Sequence, residues 1–284
     1  MWYGVISLCA AMFSFQFLLN QRYQKEQGNT INSAFLFSFI SCIPAFICLF
    51  IINGFKLEFT WFSLLMAAIA AVVSVLYTIF SLKAFAYINL SLYSIFAMLG
   101  GMLLPFLVGI IFYGEGISVA KIVCLLLITV ALFLTFERGG GNKGAIFYIG
   151  VFFLNGLVGV VSKVFQAAPF EKTSAGGYSI LLVLCSFVIA AVFLLADRRG
   201  WRAPNRKAIA YAGGYGIVCR LANYLLLLAL FHLPASVNYP FITGGTMIVS
   251  TVISALQGSK PSKKELLSVA VSFVGILLLV LLPF

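Results

Sequence analysis

The chain has 284 residues, of which 63% are hydrophobic and 9% charged, against roughly a quarter charged in an ordinary soluble domain. That balance excludes a soluble globular domain, and apolar residues running from end to end exclude a disordered chain. The formal charge of +11 would point to nucleic acid in a soluble protein. Here the basic residues sit in loops beside apolar segments, so anionic lipid head groups and the retention of Lys and Arg on the cytoplasmic side account for them. The lipid bilayer is the expected partner, and nucleic acid is not.

Breaks at clusters of charge, Gly and Pro divide the chain into ten candidate membrane helices. They run 3–20, 31–52, 61–82, 90–113, 119–136, 145–165, 177–196, 208–230, 235–256 and 266–282. The linkers are short, which makes neighbouring spans antiparallel and leaves no room for a soluble domain. The longest polar insert, Asp197 to Lys207, reads as a loop. No basic stretch precedes Trp2, so the first span is expected to be a retained helix rather than a cleaved leader. Cys9, Cys42, Cys48, Cys124, Cys185 and Cys219 all lie in apolar segments without Cys-x-x-Cys spacing. They read as small hydrophobic side chains.

A shift of 144 residues places Gly100-Gly101 on Gly244-Gly245, Gly114 on Gly258 and Ser118 on Ser262. Upstream, Ala84 to Ser91 resembles Ala229 to Ser236 after a one-residue slip, and Tyr23-Gln24 aligns with Phe165-Gln166. The fold class expected is therefore an all-α polytopic membrane protein of two five-helix repeats, residues 1–142 and 143–284. Because five is odd, the second repeat enters the membrane inverted, as in many secondary transporters. Loops after the odd-numbered spans hold 13 Lys and Arg and the other face holds 4. This bias sets the first group in the cytoplasm and both termini outside.

The stretch from Leu90 to Phe136, with Pro105 and the helix end Tyr113-Gly114-Glu115-Gly116-Ile117-Ser118, resembles the fourth and fifth helices of the drug/metabolite transporter superfamily, EamA type. The ten-span, two-repeat layout extends that resemblance over the whole chain. The second copy, Gly258-Ser259-Lys260-Pro261-Ser262, departs from it, with Ser259 where the glutamate would stand. The resemblance implies a solute cavity between inverted halves and alternating access. It also implies cytoplasmic termini, against the charge count.

The residue inventory argues against an enzyme. The one histidine, His232, lies at a helix end, and Glu26, Glu58, Glu115, Glu137, Glu171, Asp197 and Glu265 all fall at helix ends or in loops. No cluster suits a catalytic metal or a Ser/His/Asp set, and no cofactor is expected. His232 reads as an interfacial side chain and Glu115 as a helix-end group facing Lys121. Small multidrug exporters of the related family carry a membrane glutamate for proton or cationic drug, and the first span here has none.

Arg220 instead stands near the middle of the eighth span, where an arginine costs about 2.5 to 3.5 kcal/mol on insertion scales and usually faces a cavity or partner. Gly216, Arg220, Asn223 and Tyr224 share one helical face. Asn155, Gly159 and Ser162 form a stripe on the sixth span, as do Ser74, Tyr77, Thr78 and Ser81 on the third. In the ninth span Asn238 and Tyr239 precede Pro240, whose missing N–H frees a carbonyl.

The substrate-binding set expected is Arg220, Asn223, Tyr224, Asn155, Tyr77, Asn238 and Tyr239, with Tyr93 a further cavity candidate because its hydroxyl needs a partner. The isolated Ser and Thr read as interhelical glue, and the paired glycines as helix-packing positions. Three functions stay open. They are a secondary transporter of a small polar metabolite, anionic or zwitterionic, in a prokaryotic cell membrane; a flippase for an anionic head group; and a structural membrane protein.

Overall fold

The computed structural model describes residues 2–114, 118–120, 122–123, 126–127, 130–131, 144–197, 203–229, 232–233, 235–258 and 261–281. Its regular structure there is helical throughout. The nine helices among these residues are α1 (Trp2–Gln27), α2 (Ile31–Ile52), α3 (Trp61–Ala84), α4 (Leu90–Tyr113), α5 (Ala145–Ala167), α6 (Ala175–Ala196), α7 (Arg206–Ala229), α8 (Ala235–Leu256) and α9 (Lys263–Leu281). The first four are the first four expected spans, and α5 to α9 are the sixth to tenth. Seven helices, α1 to α7, are long and apolar enough to cross a membrane. The expected fifth span, 119–136, lies largely outside the described residues; those described between Val119 and Ala131 are helical.

Helix starts follow capping chemistry. The Thr30 and Thr60 hydroxyls accept the Ser33 and Ser63 N–H at 3.1 and 3.2 Å, and Asn89 Oδ1 accepts the Leu92 N–H at 2.8 Å. Each satisfies one of the N–H groups that a first turn leaves without an intrahelical partner. Ser174, Asn205 and Ser262 do the same for Gly177, Ala208 and Glu265. These three caps start α6, α7 and α9 two or three residues before the expected positions. They draw Arg206, Lys207, Lys263 and Lys264 into helical first turns that the charge pattern had assigned to loops.

α1 also outruns its expected end at Asn20 by nearly two turns. Tyr23 is fully buried there and donates to the Ser33 carbonyl at 2.9 Å, so packing against α2 holds a polar stretch helical. α4 stops at Gly114, whose φ of 61° is left-handed. That conformation suits the residue without a Cβ.

The most extensive packing joins helices of the first 142 residues to helices of the remainder. α1 packs on α7 and α8, α2 on α6 and α7, α3 on α5 and α6, and α4 on α5 and α8. Close approach needs small residues. A Cβ on Gly100 would meet the Phe152 backbone of α5, one on Gly216 the Ser41 backbone of α2, and one on Gly245 the Ala10 Cβ at 2.8 Å. Hydroxyls bridge packed pairs as well: Ser14 Oγ donates to the Thr246 carbonyl between α1 and α8 at 3.0 Å, and Ser250 Oγ of α8 donates to Ser94 Oγ of α4 at 2.6 Å. Both agree with the glue and packing roles expected for these residue types. In a bilayer, where lipid tails compete equally for apolar surface, such contacts carry more of the association than hydrophobicity does.

Candidate functional site

Where α1 to α8 converge they leave a chamber of about 170 Å³, an order of magnitude more than the roughly 10 to 15 Å³ that holds one water. Arg220 reaches it from α7, which is seated on α2 through Gly216. Cys42 of α2, Tyr178 of α6 and Tyr215 of its own helix line the same chamber. Arg220 is the one charged side chain among the described residues of the wall, which includes no carboxylate.

The polar stripes expected on α3 and α5 face the same space. Ser74, Tyr77 and Thr78 line it from α3, and Asn155, Gly159 and Ser162 from α5. Asn155 Nδ2 donates to the Ala97 carbonyl of α4 at 2.6 Å, which fixes this side chain in the wall. Tyr77 is held by a hydroxyl contact to Tyr93 at 2.6 Å. Tyr93 in turn lies 2.7 Å from Ser81 Oγ, which accepts from Asn20 Nδ2 at 2.6 Å. This buried network fixes the wall between α1, α3 and α4.

Of the expected site residues, Arg220, Asn223, Asn155, Tyr77 and Tyr239 line the chamber. Tyr224 does not: it packs beside the apolar cluster of Cys42, Ala45, Leu49, Ile180 and Val183 between α2 and α6. One residue on from Asn223 rotates the side chain about 100° around α7, which carries it out of the lining. Asn238 is fully buried away from the wall, and its amide atoms have no hydrogen-bond partner among the described residues. Tyr93 sits behind Tyr77 rather than in the wall, and His232 stacks on Trp2 at 3.9 Å, at the start of α1. Glu115 and Lys121 lie outside the described residues, as do Glu137, Arg138, Lys143, Arg198, Arg199, Arg202, Ser259 and Lys260.

Sequence reading missed Gln16, Ser38, Ser41, Tyr178, Ser179, Ser186, Tyr215 and Thr243, all in the wall. On α6 the positions Tyr178, Leu182 and Ser186 recur every four residues, a signal that was present but equally compatible with helix-packing serines.

The EamA-like transporter family matches residues 142–281, which make up α5 to α9 and the link before them. A multidrug resistance protein, EbrA of Bacillus atrophaeus, is 36% identical over 107 residues, 37% of this chain and 89% of that protein. This chain belongs to the EamA-like transporter family. The family lies within the drug/metabolite transporter superfamily, and the transporter is an integral, multi-pass membrane protein. A crystal structure of a protein superposes with a TM-score of 0.65 at 14% identity, covering 97% of this chain and 99% of the other. That likeness extends the shared fold over nearly the full length.

Proposed function

We propose that the transporter moves a small anionic or zwitterionic solute by alternating access between two inverted halves, residues 1–142 and 143–284, with Arg220 as the charged anchor. The observation that carries this reading is an arginine in a chamber wall that has no carboxylate among its described residues. An uncompensated guanidinium attracts anions and repels cations, and its planar donors suit carboxylate or phosphate. The relative EbrA is a multidrug resistance protein. For this chain the cationic wall favours an anion over a cationic drug.

The packing supports the two-repeat reading. Exchanging α1 with α5, α2 with α6, α3 with α7 and α4 with α8 turns α1 on α7 into α5 on α3, α4 on α5 into α8 on α1, and α2 on α7 into α6 on α3. Each is a packed pair, and α2 on α6 and α4 on α8 map onto themselves. A structural protein would call for a packed centre, against which the chamber speaks. A flippase would use the same arginine but needs a groove open laterally to lipid.

The test is binding and proteoliposome uptake for Arg220→Gln and Arg220→Lys over amino acids, phosphorylated metabolites, organic anions and choline, with melting temperature measured alongside. The Gln variant should lose anion transport at least tenfold while it still folds, with Lys rescuing only in part. Full transport by the Gln variant rejects the reading.

A further inference from the structure

We infer that the chamber selects an amphipathic organic anion, an acid group joined to an apolar body, rather than a compact polar ion. The inference rests on Arg220 as the anion anchor and concerns the rest of the wall. Seven residues beyond Arg220, two turns along α7 and on the same face, stands Leu227, about 10 Å away at 1.5 Å per residue. Around that level Phe13 of α1, Leu226 of α7 and Ile242 of α8 pack into one apolar cluster, and all of them face the chamber. The chamber is thus chemically divided, with a cation at one level and a hydrocarbon corner two turns away.

The two parts ask for different things from one solute. Arg220 has no carboxylate partner among the described wall residues, so an incoming acid group supplies the missing charge and accepts the guanidinium donors. Phosphate or a short acid would satisfy that end and leave the corner of Phe13, Leu226, Leu227 and Ile242 facing water. An apolar body attached to the acid replaces that water, which favours binding in proportion to the area covered. An apolar cation fills the corner but meets the guanidinium as a like charge.

The chain-length dependence of carboxylate binding tests this. Titration calorimetry on the full chain in nanodiscs, with empty nanodiscs subtracted, would compare acetate, butyrate, hexanoate and octanoate, with octyltrimethylammonium as the like-sized cation. Affinity should rise about fourfold for each methylene that enters the corner, and octyltrimethylammonium should bind at least a hundredfold more weakly than octanoate. Leu227→Ser should flatten the series while acetate binding persists, and Arg220→Gln should weaken every acid by a similar factor.

A series on the unmodified chain that is flat from acetate to octanoate overturns the inference. If Arg220→Gln still abolishes binding in that case, the anion-transport reading stands without it. Octyltrimethylammonium binding as tightly as octanoate, or no carboxylate binding at all, overturns both.

Discussion

Replacing Gly100 by alanine adds one methyl group at the tightest approach among the described glycines. The new Cβ would run into the Phe152 carbonyl oxygen, with the carbonyl carbon and Cα of Phe152 at 2.6 and 2.7 Å. These are backbone atoms of α5 that no rotamer change can move. Restoring ordinary contact requires α4 and α5 to separate by roughly 1 Å, and overpacking of this kind typically costs about 1 to 3 kcal/mol. Alanine's better helix propensity returns at most about 1 kcal/mol.

Gly4, also inside a helix, has nothing within 4 Å of its added Cβ, so Gly4→Ala should be neutral or stabilising and serves as the control. Thermal melting of the purified variants in one detergent measures both. Because Gly101 and Gly159 bring the same two helices together at the chamber, Gly100→Ala should also lower transport by more than its loss of folded protein. A Gly100→Ala variant that melts like Gly4→Ala would refute the packing argument.

Three further outcomes are expected. Glu58, held below its ordinary 4.5 chiefly by the Ser174 N–H and hydroxyl, stabilises the fold while ionised. Its contribution is present above about 4.5 and is lost as pH falls through the lowered value. Glu58→Gln should therefore cost about 1 kcal/mol at neutral pH, and melting curves taken at falling pH should show the gap to the parent closing in acid; a gap that widens there contradicts the assignment. Tyr77→Phe removes the 2.6 Å contact to Tyr93 and should cost about 1 kcal/mol, while Tyr93→Phe, which breaks contacts to both Tyr77 and Ser81, should cost more; equal melting temperatures would count against the network. Finally, the basic stretch around Gly200 should be cytoplasmic, so a lone cysteine at Gly200 should resist an impermeant maleimide on intact cells, and ready labelling would reverse the orientation.

How far sequence reached into this structure depended on what set each feature. Spans bounded by a cap and an abrupt change of hydropathy, such as Ile31 to Ile52 and Leu90 to Tyr113, begin and end as expected. Where a cap lay inside a charged stretch, as Asn205 does ahead of Arg206 and Lys207, charge pointed to loop and the capping bond prevailed. Arg220 was legible because a mid-span arginine is costly anywhere but a cavity or partner. Tyr224 misled because the i+4 position shares a face with Arg220 only to within about 40°, enough to turn it into the α2 and α6 cluster. Ser38, Ser41 and Gln16 were not legible, since a small polar residue in a membrane helix serves a wall or a seam equally well until its neighbours are known.

Three acidic residues bridge the two proposed repeats. Glu26 at the end of α1 accepts from Asn205 at 2.8 Å, Glu58 accepts from Ser174 at 2.6 and 2.7 Å, and Glu265 of α9 accepts from Asn89 at 3.2 and 3.3 Å. Each joint ties residues 1–142 to residues 143–284. In each, the donor is also the N-cap of a helix: α7, α6 and α4 respectively. A carboxylate there meets the positive end of the helix dipole as well as the cap side chain, so one acidic group both steadies a helix start and fastens it to the opposite half.

These joints lie at helix ends, where water can replace either partner, and such hydrogen bonds are worth about 1 kcal/mol net. The glycine seams deeper in the bundle, Gly100 on Phe152 and Gly216 on Ser41, have no such substitute and would have to slide as packed surfaces. Alternating access, as proposed for this chain, requires halves that part at one face while staying together at the other, and that division of labour would serve it. Under that proposal the exchangeable polar joints at the ends would let one face open, while the close-packed backbone of the glycine seams would keep the chamber lined by Arg220 intact.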